Sequence, residues 1–306
     1  MNAVYLQTAR MMAHVAPLVF VDDTFALKGG TAINLFVRDM PRLSVDLDLV
    51  FSDHSLPREQ ALARINDAIR KAADRLVRRG FQVHIPEAEA GETKLLVRRD
   101  QIEVKVEVNF VMRGTVYPVR RVSLLPAARN QLLVDMELPM VSVEDLYGGK
   151  LCAALDRQHP RDLFDVMKLY EHEGITPGIR RAFVVYLACG KRPIHELLFP
   201  QLRNIRHDYA HNFQGMTETP VPLEALIATR EKLVRQIQRE LDDGERRFLL
   251  SLVRAEPEWS LLGVTHLEHL PGVRWKLQNL LQLQKADARK FSEQVDALVA
   301  GFESVE

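Results

Sequence analysis

The segment LKGGTAINLFVRDMPRLSVDLDLVF, residues 27–51, joins a glycine turn to an acidic strand. Phe25 to Leu27 reads as a short strand running into Lys28-Gly29-Gly30, and Thr31 to Arg38 has helical spacing through Ile33, Phe36 and Val37. Leu43 to Phe51 then alternates. Val45, Leu47 and Leu49 fall on one face and Ser44, Asp46 and Asp48 on the other, the pattern of a half-buried strand. Side chains at i and i+2 of a strand share a face, so the two carboxylates project together about 6–7 Å apart along the chain. They repel unless positive charge lies between them. A hard divalent cation such as Mg²⁺, held by one or two carboxylates and by phosphate oxygens, relieves that repulsion. A Gly-Gly turn at a helix N-terminus lets bare backbone approach a polyphosphate, with amide donors and the helix dipole favouring the anion, and Lys28 adds a point charge. A solvated strand face and a plain turn are the competing readings of the same residues.

Outward from this segment, residues 3 to 16 look like an amphipathic helix, and residues 58 to 79 form a charged one closed by Gly80. FQVHI and KLLVRR are strand-like and lead to the clearest strand of the chain, IEVKVEVNF. Ile102, Val104, Val106, Val108 and Phe110 point one way there, and Glu103, Lys105, Glu107 and Asn109 the other. Glu107 supplies a third acidic ligand if this strand neighbours the one carrying Asp46 and Asp48; otherwise Glu103, Lys105 and Glu107 form an exposed charged ladder. From Ser142 the pattern turns helical, opened by a Ser142-x-x-Asp145 cap, broken at QHPRD, and continuing to the end apart from a polar connection at 212 to 222.

Composition adds boundaries. With 306 residues, 47% hydrophobic and 27% charged, the chain has enough material for two domains with buried cores. Lys+Arg 41 against Asp+Glu 41 leaves no net charge, so any nucleic-acid surface has to be a local patch. Cys152 and Cys189 offer neither a disulfide framework nor a zinc set, which suits a reducing cytoplasm. The start has no leader pattern, and no apolar run reaches the ~20 residues that span a bilayer. The expectation is a cytoplasmic protein without a membrane partner.

The order glycine turn, helix, Asp-x-Asp strand resembles the signature of the nucleotidyltransferase superfamily. The fuller form, Lys-Gly-Gly-Thr-Ala with Arg42-x-Ser44-x-Asp46-Leu47-Asp48, is similar to the AbiEii/AbiGii toxin family of type IV toxin-antitoxin and phage abortive-infection systems. Lys150-Leu-Cys-Ala-Ala-Leu-Asp-Arg157 and Arg161-Asp162-Leu-Phe-Asp165 look like that family's downstream lysine and aspartate motif. The resemblance implies a nucleotidyltransferase-like α/β domain with a mixed sheet over residues 1–140, and an α-helical domain over 141–306 carrying Lys150 and Asp165. It implies an active site in the cleft between them and transfer of a nucleoside monophosphate from an NTP to an acceptor. RNA, and tRNA in particular, is the acceptor the resemblance implies, because some relatives modify tRNA 3′ ends. A separately encoded antitoxin is the expected partner.

By position, Asp46 and Asp48 would hold the metal and Gly29, Gly30 and Thr31 the phosphates, with Lys28, Arg42, Ser44 and Arg157 also toward the nucleotide. Glu107 stands as the third carboxylate although the superfamily more often has aspartate. Lys150 would reach the triphosphate and Asp165 would orient Lys150, Arg157 or the acceptor; the role of Asp162 beside Asp165 stays open, a plain helix cap being one reading. For Arg42 and Ser44 a plain turn and a plain polar strand position are equal alternatives. Transfer to a protein or small molecule, kinase-like phosphoryl transfer, or a non-catalytic nucleotide-binding module are the rival functions. His207 with His211, and His266 with His269, read as surface or packing histidines. Paired basic residues, Lys191 and Arg192 among them, are candidates for an RNA surface only if they cluster.

Overall fold

The computed structural model describes residues 3–86 and 92–305. Two compact units divide the chain: Met1–Leu146 with Gln214–Pro220, and Tyr147–Phe213 with Val221–Glu306.

The first unit is built on a seven-stranded mixed sheet in the order β3-β4-β5-β2-β1-β7-β6. The strands are β1 (Phe25–Lys28), β2 (Asp46–Phe51), β3 (Gln82–His84), β4 (Glu92–Arg99), β5 (Ile102–Asn109), β6 (Arg120–Ser123) and β7 (Glu137–Met140). β2 runs parallel to β5 and β1 parallel to β7; the remaining neighbours are antiparallel. Helices α1 (Ala3–Val19), α2 (Gly29–Ala32), α3 (Arg58–Arg78) and α4 (Pro126–Leu132) accompany it. α1 packs against β2, β5 and α3. Alternation decides the two faces of the sheet. Leu27, Leu47, Leu49, Val106 and Val108 are all fully buried on one, each stabilising the fold by about 1.5–3 kcal/mol relative to exposure.

β2 begins at Asp46, later than the alternation from Leu43 predicts, and Val50 is buried although it shares the parity of the acids. Both differences follow from position. β2 is an inner strand, and residues 42–45 pair elsewhere: Arg42 bridges Thr217 and the Leu43 N–H donates to the Met216 carbonyl at 3.0 Å. The connection at 214–220, read from sequence only as a polar link, thus braces the approach to the acidic strand.

The second unit is helical. α5 (Val143–Asp156) crosses the division, and α6 (Pro160–Glu171), α7 (Pro177–Cys189), α8 (Ile194–Leu198), α9 (Arg206–Asn212), α10 (Leu223–Glu240), α11 (Asp243–Val253), α12 (Pro271–Ala286) and α13 (Ala288–Glu303) follow. Gly148 explains how closely α5 and α7 approach. A Cβ there would lie 2.7 Å from the Ala182 Cβ and the Phe183 nitrogen. α5 opens as its cap motif predicts, with Ser142 Oγ accepting from the Asp145 N–H at 3.0 Å. The buried Asp145 carboxylate also accepts from the Val116 and Tyr117 N–H groups at 2.8 and 2.9 Å. Among the described residues, no helix is long and apolar enough to cross a membrane.

Candidate active site

In the first unit the glycine turn and the acidic strand meet. β1 ends extended at Lys28, and Gly29 reverses the chain at φ +74, in the left-handed region that favours glycine. Lys28 pairs with Asp48 across the antiparallel β1–β2 ladder, and Asp48 pairs with Glu107 across the parallel β2–β5 ladder. Residues opposite one another point to the same face. Lys28, Asp48 and Glu107 therefore form one row across three strands, extended by Lys94 of β4, and Asp46 lies one pleat away beside Lys105. The Asp48 carboxylate fills the place where a side chain at Gly29 would begin: a Cβ there would stand 2.1 Å from Asp48 Oδ2 and 2.9 Å from Cγ. Among the described residues the Asp48 carboxylate makes no hydrogen bond or ion pair.

Gly30 makes room in the same way for two other residues of the segment. Its Cβ would meet Arg42 Nη2 at 2.8 Å and Ser44 Oγ at 3.1 Å. Arg42 is 3% exposed and donates to the Leu43 carbonyl at 2.9 Å, which holds its guanidinium against the turn. Thr31 is buried. Its one hydroxyl hydrogen goes to the Asp46 carbonyl at 2.5 Å, leaving the oxygen to accept from Ser44 Oγ at 3.0 Å. Thr31 and Ser44 thus fasten the glycine turn to the start of β2. Asn34, which sequence reasoning passed over, donates to the Gly30 carbonyl at 2.9 Å and is fully buried.

The segment that follows departs from an ordinary helix. Ile33–Val37 is a π-helical turn, with the Arg38 N–H reaching the Ile33 carbonyl at 2.9 Å. The chain leaves it through two left-handed residues, Asp39 (φ 50) and Met40 (φ 71). Asp39 Oδ1 then accepts from the Ala127 N–H at 2.7 Å, at the start of α4. π-helical turns recur at functional sites because the widened turn re-aims the backbone.

Among the described residues no three His, Cys, Asp or Glu side chains are gathered in a metal cage. The donor chemistry still suits magnesium. Asp46, Asp48 and, in register, Glu107 offer hard oxygens only, and Mg²⁺ takes one or two carboxylates while keeping waters and phosphate oxygens. Glu107 also sits 3.5 Å from Lys94 Nζ, with both side chains about one-third exposed (34% and 35%).

The second unit holds the downstream motif as a compact ion cluster. Lys150 Nζ lies 2.9 Å from Asp162 Oδ1 and 2.9 Å from Asp165 Oδ2, with the lysine 6% exposed and the two aspartates 0% and 1%. Arg157 donates to both Asp162 oxygens, through Nε and, at 2.9 Å, through Nη2, while its side chain stays 59% exposed. Burial works to raise the Asp162 carboxyl, but Lys150 and Arg157 outweigh it and hold the group well below the usual carboxylate range. Of the readings open for Asp162, the helix cap is taken by another residue. His159 caps α6, its ring nitrogen accepting from the Arg161 N–H at 3.1 Å, and Asp162 turns inward as the hub of the cluster. The i,i+3 spacing of Asp162 and Asp165 was the available signal, since it puts both on one helix face.

Among the histidines, His207 and His211 stack at 4.2 Å on the exposed surface of α9. His269 lies beside its neighbour Glu268 at 3.4 Å.

Comparison with known proteins gives two results. The family model described as "Nucleotidyl transferase AbiEii toxin, Type IV TA system" matches residues 10–279. Among solved structures the chain is similar to MenT4, a nucleotidyltransferase toxin from Mycobacterium tuberculosis H37Rv, with a TM-score of 0.60, 20% identity, and coverage of 92% of this chain and 94% of that one. No curated protein matches.

Proposed function

The chain belongs to the AbiEii family of nucleotidyltransferase toxins of type IV toxin-antitoxin systems, and on that premise we propose that it transfers a nucleoside monophosphate from an NTP to RNA, with tRNA as the acceptor. The observation that carries the proposal is the seating of the Asp48 carboxylate against the bare backbone of Gly29. An acid and a phosphate-binding turn brought to one point are what nucleotide transfer needs. In the reaction, an acceptor hydroxyl oxygen forms a bond to the α-phosphorus as the bond to the pyrophosphate oxygen breaks, and the hydroxyl proton leaves to water.

Each residue has a task in this scheme. The turn from Lys28 to Thr31 receives phosphate oxygens on backbone N–H groups and on the Lys28 ammonium. Arg42, buried behind Gly30, adds positive charge, and Thr31 and Ser44 keep the turn and β2 in fixed relation. Asp46 and Asp48, with Glu107 beside them in register, would hold magnesium. Bound there, the ion would neutralise developing charge and lower the pKa of the attacking hydroxyl. Positioning and charge neutralisation account for most of the catalysis in such transfers. Lys150, Arg157 and Asp165 are assigned to the same reaction from the family motif. In this assignment the ammonium held between Asp162 and Asp165 is a positioned cation. The proposed place of action is the cytoplasm, under restraint by a separately encoded antitoxin.

The test is incubation of the purified protein with each α-labelled NTP, Mg²⁺ and total RNA. Label is expected on RNA, and Asp48→Asn with an unchanged melting curve is expected to abolish it. Transfer of γ-label would replace the reading with phosphoryl transfer, and nucleotide binding without label on any acceptor would replace it with a binding module.

A further inference from the structure

A cavity of about 500 Å³ lies in the second unit, lined by Lys191, His195, Lys276, Asn279, Lys290 and Gln294 among others. Its walls come from the turn after α7, from α8 and from the facing sides of α12 and α13. Two glutamates also line it, but each is bonded to an arginine. Glu196 pairs with Arg192 at 2.7 Å and Glu293 with Arg289 at 2.8 Å. Burial lowers the His195 imidazole, which keeps it neutral. Positive charge therefore comes from the three lysines. Lys191 and Lys290 are exposed, and among the described residues neither ammonium has a carboxylate partner.

Lys276 is different, because it is 5% exposed. Its ammonium donates to the Gly190 carbonyl at 3.0 Å and the Arg192 carbonyl at 2.6 Å. An ammonium has three N–H groups, and the third has no partner among the described residues. A buried cation held by two neutral carbonyls, with a third donor on a cavity wall, would be favoured by an anion placed beside it. Burial pushes its pKa down to about 8, so it is still charged at neutral pH. Among the described residues no Phe, Tyr or Trp lines the cavity, and with the neutral His195 as its one ring it offers charge and hydrogen-bond donors for a phosphate more than a platform for bases.

We propose that this cavity binds a phosphate group of the acceptor RNA's backbone, with Lys276 as the buried donor and Lys191 and Lys290 as the exposed charges that a passing strand meets. The proposal rests on the RNA-acceptor reading above and gives that reading a second anchoring point. A phosphodiester suits the exposed lysines because a polymer can reach them from solvent.

The experiment uses the full chain and the double variant Lys191→Ala/Lys290→Ala, whose surface positions leave the fold intact. Binding of tRNA is measured between 50 and 200 mM salt, on the scale where phosphate contacts set a linear log–log dependence. The variant should bind roughly tenfold more weakly at 0.1 M salt, with a salt slope smaller by about 1. NTP affinity should be unchanged. Equal RNA affinity and slope in the two proteins would overturn the inference, even if the wild type labels RNA normally. A wild type that moves no label yet binds RNA with the expected loss in the variant would sustain the site while refuting the transfer reaction. Loss of inorganic phosphate binding alone, with RNA binding untouched, would overturn the assignment to RNA in favour of a free anion.

Discussion

Gly29→Ala separates chemistry from folding in the glycine turn. The new methyl carbon would begin 2.1 Å from Asp48 Oδ2 and 2.9 Å from its Cγ. The carboxylate, the far end of a mobile side chain, is what yields, and to reach ordinary contact it has to retreat by about 1 Å or more, a misplacement that costs on the order of 10²-fold in rate. The backbone cost is separate and smaller. At φ +74 an L-residue gives up about 1–2 kcal/mol, which lowers the melting temperature by a few degrees for a protein of this size. The assay is transfer of α-labelled NTP to RNA at saturating nucleotide, with a thermal melt of the same preparation. Asp48→Asn sets the floor. Activity within about threefold of wild type in a well-folded Gly29→Ala protein would show that the Asp48–Gly29 contact is incidental, and the site argued from it would fall.

Other substitutions probe the remaining features. Glu107→Gln should leave stability within about 0.5 kcal/mol, because its pairing with Lys94 is loose and solvated, and should raise the magnesium needed for half-maximal transfer by about tenfold or more; an unchanged titration would remove Glu107 from the ligand set. Lys150→Met strands two buried carboxylates, and urea unfolding should register a loss of about 3–5 kcal/mol, part of it recovered by adding Asp165→Asn. Asp162 governs the acid limb: its folded pKa is depressed below the ordinary 3.8, so its stabilisation is complete above about pH 4 and is lost as pH falls from there toward the folded value. Urea midpoints between pH 5 and 2.5 should therefore fall less steeply in Asp162→Asn than in wild type. Gly148→Ala drives a methyl into α7 at 2.7 Å and should cost about 1–3 kcal/mol, with per-molecule transfer unaffected in the fraction that remains folded.

How much of this was visible in the chain depends on whether the cause is local. The Gly-Gly turn and the Asp-x-Asp alternation are local, so the acids, their shared face and the leucines behind them could be read from residues 27–51. The neighbouring of Asp48 and Glu107 depends on which strands pair and in what register, and in sequence it could be stated only as a condition. The start of β2 was misjudged because Arg42 and Leu43 pair with residues 214–220, far along the chain. The π-helical turn leaves no mark in the spacing of Ile33, Phe36 and Val37. Thr31 and Ser44 carry hydroxyls that suit a ligand equally well, and only the fold reveals that they bond to one another and to the β2 backbone. A helix cap was one open reading of Asp162, because its partner Lys150 lies twelve residues upstream on another helix.

In the hexapeptide DLDLVF, the two aspartates lie half-buried on the face of the candidate site and the other four residues are buried. Were β2 to thread its neighbours one residue out of step, both aspartates would be driven into oil and both leucines into water. Under the proposed function, a slip that took the acids from the site would also take the leucines from the interior, so activity and stability would be lost together.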